Sequence, residues 1–182
     1  LIIEADGGSR GNPGIAGSGA CVINADTGEV VLEISKFIGV ATNNVAEYLA
    51  LVAGLEGAYS LNSEARILVR MDSKLVIEQM AGRWKIKHPD MQQLGARVQK
   101  IVAGKPIRWQ WIPREENSRA DALANKAMDE EGDAVVATSD VGPRASVVEF
   151  NQTLPSSVRA PGGVTEPLTT IILVRHGRTH LT

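Results

Sequence analysis

The stretch that decides the fold is IIEADGGSRGNPG, residues 2–14. Its apolar beginning predicts a strand that carries one carboxylate, Asp6, to its end. The glycines at positions 7, 8, 11 and 14 then predict a turn with a nearly bare backbone, because glycine readily adopts positive φ. Asp-Gly is a frequent hairpin signal, so this stretch by itself favours a turn. A site where a metal and a phosphodiester approach bare backbone is the alternative.

Hydrophobic patterning outward from this strand predicts a mixed sheet with helices packed on it. The first three strands predict an antiparallel meander, and the later strands are short, apolar and connected by helices. The order βββαβααβα is that of an α/β fold with a five-stranded mixed sheet, helices on both faces and an irregular C-terminal tail. It excludes an all-parallel nucleotide-binding fold. The predicted elements are strands at 2–6, 16–24 and 30–40, a helix at 42–60, a strand at 67–71, helices at 73–80 and 90–103, a strand at 107–112 and a helix at 118–130.

The composition changes after residue 131. Prolines recur among small and polar residues without sustained periodicity, and this predicts a flexible linker at 132–168. A short apolar run at 169–174 then predicts a new strand. We therefore expect a first domain at 1–131, a linker at 132–168 and the beginning of another domain at 169–182.

The overall composition restricts the partners and the compartment. The net charge is −2, so any nucleic acid must be held by local basic patches. The single cysteine, Cys21, lies in an apolar run and permits no internal disulfide, which fits a reducing compartment. The chain shows no secretory signal and no apolar run near 18 residues. We expect a cytoplasmic monomer without a membrane span.

Four acidic residues lie where separate predicted elements begin or end. Asp6 and Asp72 end strands, and Glu47 and Asp121 lie in the first turns of helices. Each has a structural alternative, because Asp72 can cap the next helix and the other two helix residues fit capping boxes. Together they favour a cation site, since clustered carboxylates raise one another's pKa unless divalent ions neutralise them. Oxygen-only ligands favour Mg²⁺ or Mn²⁺.

Four motifs in this order resemble a type 1 ribonuclease H: the decisive stretch, TNNVAE at 42–47, MDS at 71–73 and NSRADALA at 117–124. The resemblance covers about residues 1–130. It implies the ribonuclease H fold and a metal-dependent endoribonuclease that hydrolyses the RNA strand of RNA–DNA hybrids, leaving 5′-phosphate and 3′-hydroxyl ends. It also implies two Mg²⁺ ions about 4 Å apart, with Mn²⁺ as a substitute. Their implied ligands are Asp6, which would bridge the ions, Glu47, Asp72 and Asp121.

The resemblance further implies which residues contact the hybrid. Short amides and bare backbone suit the recognition of 2′-hydroxyls across a shallow minor groove. Thr42 matches a DNA-phosphate contact, and Asn117 matches a residue near the attacking water. Turn and cap chemistry is the alternative role for these residues. The implied substrate-binding residues are Gly7, Gly8, Asn12, Thr42, Asn43, Asn44, Ser73, Lys74 and Asn117.

Two loops depart from the best-known members of the family. Those members carry a histidine between the last strand and the last helix, whereas 113–117 is short and has none. This resembles the branch with a shortened loop, and Arg114 and Glu116 are weak candidates to replace the histidine. The basic loop near 82–89 is also abbreviated. It predicts either duplex contacts or an ordinary turn with its tryptophan in the core. The residues concerned are Arg83, Trp84, Lys85 and Lys87.

The end of the sequence carries a second resemblance. LVRHGRT at 173–179 resembles the opening of the histidine phosphatase (phosphoglycerate mutase-like) superfamily. His176 matches the phosphoryl acceptor, and Arg175 and Arg178 match the phosphate ligands. This implies a longer protein that joins a ribonuclease H domain to a phosphatase-like domain, with the stub inert by itself. A chance match in a tail is the alternative.

Three functions therefore compete at this point. The leading hypothesis is the metal-dependent endoribonuclease. The second is a non-catalytic module that binds RNA–DNA hybrids or double-stranded RNA, and the third is an accessory domain of a phosphomonoesterase. The complete set of four carboxylates favours the enzyme.

Overall fold

The computed structural model describes residues 1–138 together with Pro155 and Val158. In this part of the chain six strands form one mixed sheet in the order β5-β4-β1-β2-β3-β6. The predicted Arg-His-Gly motif and most of the predicted linker lie outside the described residues. The strands are β1 (Ile2–Gly11), β2 (Gly14–Ile23), β3 (Val30–Ala41), β4 (Ile67–Met71), β5 (Ile107–Trp111) and β6 (Ala134–Ala137).

Four helices cover the sheet on both faces, as the sequence predicts. Helix α1 packs through glycines whose added Cβ atoms would meet β-strand side chains: Gly54 against Ile3 at 2.6 Å and Gly57 against Ile34 at 2.7 Å. Gly19 of β2 makes the same close approach to α4 on the opposite face. The predicted fold class is confirmed. The helices are α1 (Asn43–Leu61), α2 (Lys74–Met80), α3 (Pro89–Val102) and α4 (Ser118–Glu130), and a 3₁₀ turn spans Arg114–Glu116.

Helix α1 is the centre of the core. Thr42 caps it by accepting a hydrogen bond from the backbone N–H of Val45 at 3.3 Å. Thirteen of its residues are buried, because the sheet covers one side and α3 packs on another. Burial on this scale is the main source of stability in a domain of this size. Among the described residues no helix is long and apolar enough to cross a membrane.

The predicted turn directly after Asp6 is wrong. Strand β1 continues to Gly11, and Asp6 lies within it, paired with Gly19 of β2. The reason is that Gly7 provides space rather than positive φ: a Cβ there would lie 2.1 Å from the carbonyl carbon of Ala46 in α1. Positive φ occurs only at the end of the strand, where Gly11 has φ of 103°.

The predicted five-stranded sheet and the predicted start of the linker at residue 132 both need correction. Strand β6 pairs antiparallel with β3, and Glu33 lies opposite Val136. The first domain therefore extends to residue 137 at least. Four residues, Ala-Val-Val-Ala, are too few to show a strand period, so the hydrophobic pattern does not reveal them.

Candidate active site

The site is built on an open edge of β1. Strand β4 pairs with β1 only at Ile2–Glu4, so the next backbone groups of β1 on that edge have no strand partner. The carbonyl of Ala5 accepts a hydrogen bond from Asn117 Nδ2 at 2.9 Å, and the N–H of Gly7 donates to Glu47 Oε2 at 3.3 Å. The side chains of Asn117 and Glu47 therefore take the place of a strand partner for the backbone groups on either side of Asp6.

Four separate elements bring the four predicted carboxylates to this edge. Asp6 lies within β1, Glu47 in the second turn of α1, Asp72 directly after β4 and Asp121 in the first turn of α4. Their charges act on one another: those of Asp72 and Asp121 raise the pKa of Asp6, and those of Asp6 and Asp72 raise that of Glu47. The structure thus brings all four together.

The capping roles considered for these carboxylates are wrong. Helix α1 is capped by Thr42 and has no acidic residue in its first turn. Ser73, rather than Asp72, is the N-cap of α2, and α4 begins after Asn117 without a side-chain cap. The carboxylates of Asp72 and Asp121 accept hydrogen bonds from loop side chains instead.

Burial and mutual repulsion raise the pKa of two of the carboxyl groups, those of Asp6 and Glu47. Burial, followed by the charges of Asp72 and Asp121 and a hydrogen bond with Asp121, raises the pKa of Asp6 to about 7. Burial is also the first cause that raises the pKa of Glu47 well above its usual range, while the N–H of Gly7 opposes the shift. Arg114 is the cation that opposes both shifts. The site therefore has more negative charge than its own cation balances.

The segment between β5 and α4 supplies the polar partners of the site. Arg114 Nη2 donates to Asp121 Oδ1 at 2.8 Å, and Asn117 Nδ2 donates to Asp72 Oδ1 at 2.6 Å. Asn117 is fully buried, and its Oδ1 has no hydrogen-bond partner within the described structure. A buried acceptor costs free energy unless something donates to it, so this oxygen suits a bound water.

The residues fit a hard divalent cation by donor chemistry. The four carboxylates and the unpaired amide oxygen are all oxygen donors, and the excess negative charge is of the kind that Mg²⁺ or Mn²⁺ neutralises. As they lie, no three acidic, histidine or cysteine side chains of residues 1–138 form a ready-made ligand set for one ion. Arg114 donates to Oδ1 of Asp121 and the N–H of Gly7 donates to Oε2 of Glu47, so each of these two carboxylates already has a partner from the protein.

Several predicted substrate-binding residues gather where α1 begins. Asn12, at the tip of the β1–β2 hairpin, accepts a hydrogen bond through Oδ1 from the N–H of Asn43 at 3.2 Å. Thr42 and Asn43 are half-buried beside it, and Asn44 is exposed. The hairpin tip and the first turn of α1 thus form one polar rim.

The predicted open backbone at Gly7 is not available. Gly7 is buried beneath the backbone of Ala46 and Glu47, and Glu47 occupies its N–H. Gly8 is half-buried, with the Cε of Met128 3.5 Å from the position of an added Cβ. Gly7 therefore permits the contact between α1 and β1 that brings Glu47 to the site.

The remaining predicted contacts lie at the start of α2 and in the loop after it. Ser73 is half-buried and Lys74 is exposed. Trp84 is 46% exposed, so its interpretation as a core residue is wrong. Lys85 and Lys87 are also exposed, and Arg83 forms an ion pair with Glu78.

Residues that the sequence does not single out hold the backbone of the basic loop in place. Gln79 is buried, accepts a hydrogen bond from Tyr48 Oη at 2.8 Å and donates to the carbonyl of Lys85 at 3.3 Å. The side chain of Ile86 packs against Gly95 of α3. Trp84 and the lysines thus project from a supported backbone.

Sequence reasoning also misses an ion pair beneath the site. Glu4 and Arg70 lie opposite each other on β1 and β4, and Arg70 Nη1 is 3.0 Å from Glu4 Oε1. Glu4 interrupts the apolar beginning of β1, and Arg70 is a charged residue inside the otherwise apolar strand β4. That irregularity is the signal that could have drawn attention to them.

Comparisons with known proteins identify relatives of this chain. The family model described as reverse transcriptase-like matches residues 4–127. The chain is 48% identical over 183 residues to the "bifunctional protein Rv2228c" of Mycobacterium tuberculosis, covering all of this chain and 48% of that protein. The chain thus spans about half the length of that relative. It is also 35% identical over 151 residues to a ribonuclease H of Alcanivorax borkumensis, covering 71% of this chain and 92% of that protein.

A solved structure shares the architecture. LC11-RNase H1, determined in complex with an RNA/DNA hybrid, superposes with a TM-score of 0.68 at 40% identity. The match covers 71% of this chain and 97% of that one.

Proposed function

The chain belongs to the ribonuclease H family, and on that premise we propose that it hydrolyses the RNA strand of RNA–DNA hybrids, leaving 5′-phosphate and 3′-hydroxyl ends. The observation that carries this proposal is the convergence of Asp6, Glu47, Asp72 and Asp121 from four elements on the open edge of β1. The RNA/DNA hybrid bound by LC11-RNase H1 supports the choice of substrate.

The four carboxylates are the residues that would hold divalent cations, two Mg²⁺ or Mn²⁺ ions per site. When bound, such ions activate water and stabilise the leaving oxygen of a phosphodiester. The protein's own contribution is to fix the ligands. Asn117 orients Asp72, Gly7 orients Glu47, and Asp6 lies between these contacts on a strand that α1 and α4 clamp from both faces.

Asn117 also has the geometry to orient the attacking water. The Nδ2 of Asn117 donates two hydrogen bonds, one to Asp72 and one to the carbonyl of Ala5. Its Oδ1 is left as a buried acceptor beside the carboxylates. A water that donates to this oxygen would be held at a fixed position next to Asp72.

The polar rim and the basic loop suit a nucleic-acid duplex. Asn12 and Asn43 present amides of the kind that recognise 2′-hydroxyls, and the N-terminus of α1 beside Thr42 favours a phosphate. Exposed Lys85 and Lys87 add positive charge, and Trp84 offers a face for stacking.

A cleavage assay tests this function and its site. Purified protein is incubated with Mg²⁺ and an RNA–DNA hybrid labelled in the RNA strand. We expect cleavage by the wild type and a loss of about 10³-fold or more in Asp72→Asn, because one ligand charge is removed. Asp26→Asn, in an exposed turn, is the matched control and should cleave normally.

Two outcomes would contradict the proposal. Cleavage that persists in Asp72→Asn would remove Asp72 from the site. Binding of the hybrid by the wild type without cleavage would favour the non-catalytic module.

We infer further that the longer protein carries a second catalytic domain. The chain spans about half of a relative whose name calls it bifunctional, which supports this arrangement. The resemblance of Arg175, His176 and Arg178 to a histidine phosphatase motif remains a prediction, because these residues lie outside the described structure.

A further inference from the structure

A row of polar side chains crosses the sheet at Glu4, two residues before Asp6 on β1. In the strand register Glu4 lies opposite Cys21 on β2 and opposite Arg70 on β4. Glu4 is only 7% exposed, and Arg70 Nη1 lies 3.0 Å from its Oε1. A buried carboxylate is destabilising without a partner, so Arg70 is held in place by the charge that it neutralises.

The other end of the same guanidinium reaches the site. Arg70 Nη2 lies 3.1 Å from Glu116 Oε2. Glu116 belongs to the 3₁₀ turn between Arg114, which contacts Asp121, and Asn117, which contacts Asp72. One arginine thus connects a buried strand residue to the turn that carries both contacts.

This turn is short and exposed. Its backbone makes two short-range hydrogen bonds, from Glu116 N to Pro113 O at 3.0 Å and from Asn117 N to Arg114 O at 2.9 Å. Residues 114–116 are all exposed. The bond from Asn117 to Ala5 anchors the residue that follows the turn, and the Arg70–Glu116 pair anchors the last residue of the turn.

An exposed ion pair contributes little to stability by itself, but this one is pre-organised. The planar guanidinium presents its donors in a fixed fork, and Glu4 already restricts one arm. The side chain of Arg70 therefore loses little further entropy when the other arm of its guanidinium binds Glu116. The pair therefore controls the position of the turn more than the free energy of unfolding.

We propose that Arg70 is a positioning residue for the hydrolysis described above: through Glu116 it holds the turn so that Arg114 meets Asp121 and Asn117 meets Asp72. The proposal rests on the proposed function. It assigns the positioning of this turn to a residue of the sheet.

The test compares Glu116→Gln with Arg70→Gln and a control. Arg70→Gln leaves Glu4 buried without its cation and can destabilise the fold, so Glu116→Gln, which preserves that pair, is the decisive variant. Arg108→Gln removes the same charge from an exposed position on β5, opposite Leu68 of β4. For Glu116→Gln we expect kcat to fall about 10-fold with KM within about 2-fold, since a displaced group costs rate rather than binding. Arg108→Gln should keep the wild-type kcat.

A double-mutant cycle and hydrogen exchange complete the test. If one contact carries both effects, Arg70→Gln combined with Glu116→Gln should lower kcat no further than Arg70→Gln does. The backbone N–H of Asn117 should exchange faster in Glu116→Gln than in the wild type. This exchange can be measured even if the wild type cleaves nothing. An inactive wild type would therefore refute the proposed function, whereas unchanged exchange and unchanged kcat in Glu116→Gln would refute the role of Arg70. A lowered unfolding temperature with unchanged kcat would refute it as well.

Discussion

Glycines allow a helix to pack closely on each face of the sheet, but the two faces carry different chemistry. On one face α1 lies against Ile3, Ala5 and Gly7 of β1, and these are buried in a largely apolar layer. On the other face α4 lies over Asp6, and the sheet there also buries Glu4. Both helices approach closely because glycines remove side chains from their path.

The difference shows how the stability and the chemistry of the domain are divided. Apolar burial on the α1 face stabilises the fold, and each added polar group there would lack a partner. Several buried or half-buried polar groups of the α4 face have a charged partner, such as Arg70 for Glu4 and Arg114 for Asp121. The polar groups of the α4 face therefore depend on one another.

The largest effect on stability is expected from adding a side chain at Gly7, where α1 packs directly against β1. Gly7→Ala would place a Cβ 2.1 Å from the carbonyl carbon of Ala46 and 2.2 Å from the nitrogen of Glu47, and backbone atoms cannot give way as a flexible side chain can. We expect a loss of about 3 kcal/mol or more in the free energy of unfolding, measured in urea.

The adjacent glycine is the matched control. Gly8→Ala would meet only the Cε of Met128, at 3.5 Å, on the opposite face. Its cost should stay within about 1 kcal/mol, because only ordinary packing changes. Equal losses for Gly7→Ala and Gly8→Ala would show that the close approach of α1 does not explain Gly7.

The second effect comes from the charge on the α4 face. Because the pKa of Asp6 is raised from 3.8 to about 7, the folded protein keeps a proton that the unfolded chain releases. This group therefore favours folding at low pH, and its contribution is lost as the pH rises from about 4 to 7. In chelator, Asp6→Asn should be more stable than the wild type at pH 8 and about equal to it at pH 4.

Unfolding curves of the metal-free protein at pH 4, 6 and 8 check this prediction. Asp26→Asn, whose carboxylate is exposed in a turn, should shift stability equally at all three values. A pH-independent difference between Asp6→Asn and the wild type would mean that Asp6 is not held protonated by its neighbours.

The sequence predicts the elements of both faces but not how they touch. Periodicity identifies the long helices, and the acidic residues at their ends could be assigned because their motifs fall on recognisable elements. The role of Gly7 could not be predicted, since it depends on Ala46 arriving from another element and not on the local backbone. The pair of Glu4 and Arg70, 66 residues apart, requires the register of β1 against β4.

The smallest effect is the most direct comparison of the two faces, because adjacent residues of β2 face opposite helices. Cys21 is fully buried, and its Sγ lies 3.7 Å from Glu4 Oε2. Burial, and then the charge of Glu4, raises the pKa of this thiol to about 12, so it stays protonated and can donate. In Cys21→Ser the hydroxyl inherits the same acceptor, and we expect a change within about 0.5 kcal/mol.

Ala20→Ser places the same hydroxyl on the α1 face. Ala20 is fully buried, and its Cβ lies close to Gly54 of α1 in an apolar layer. The new hydroxyl would gain no side-chain acceptor there, so this variant should lose about 1–2 kcal/mol in urea unfolding. If Ala20→Ser and Cys21→Ser lower the free energy of unfolding equally, then the presence of a hydrogen-bond partner does not decide which face accepts a hydroxyl. The division between a stabilising face and a chemical face would then have to rest on the carboxylates alone.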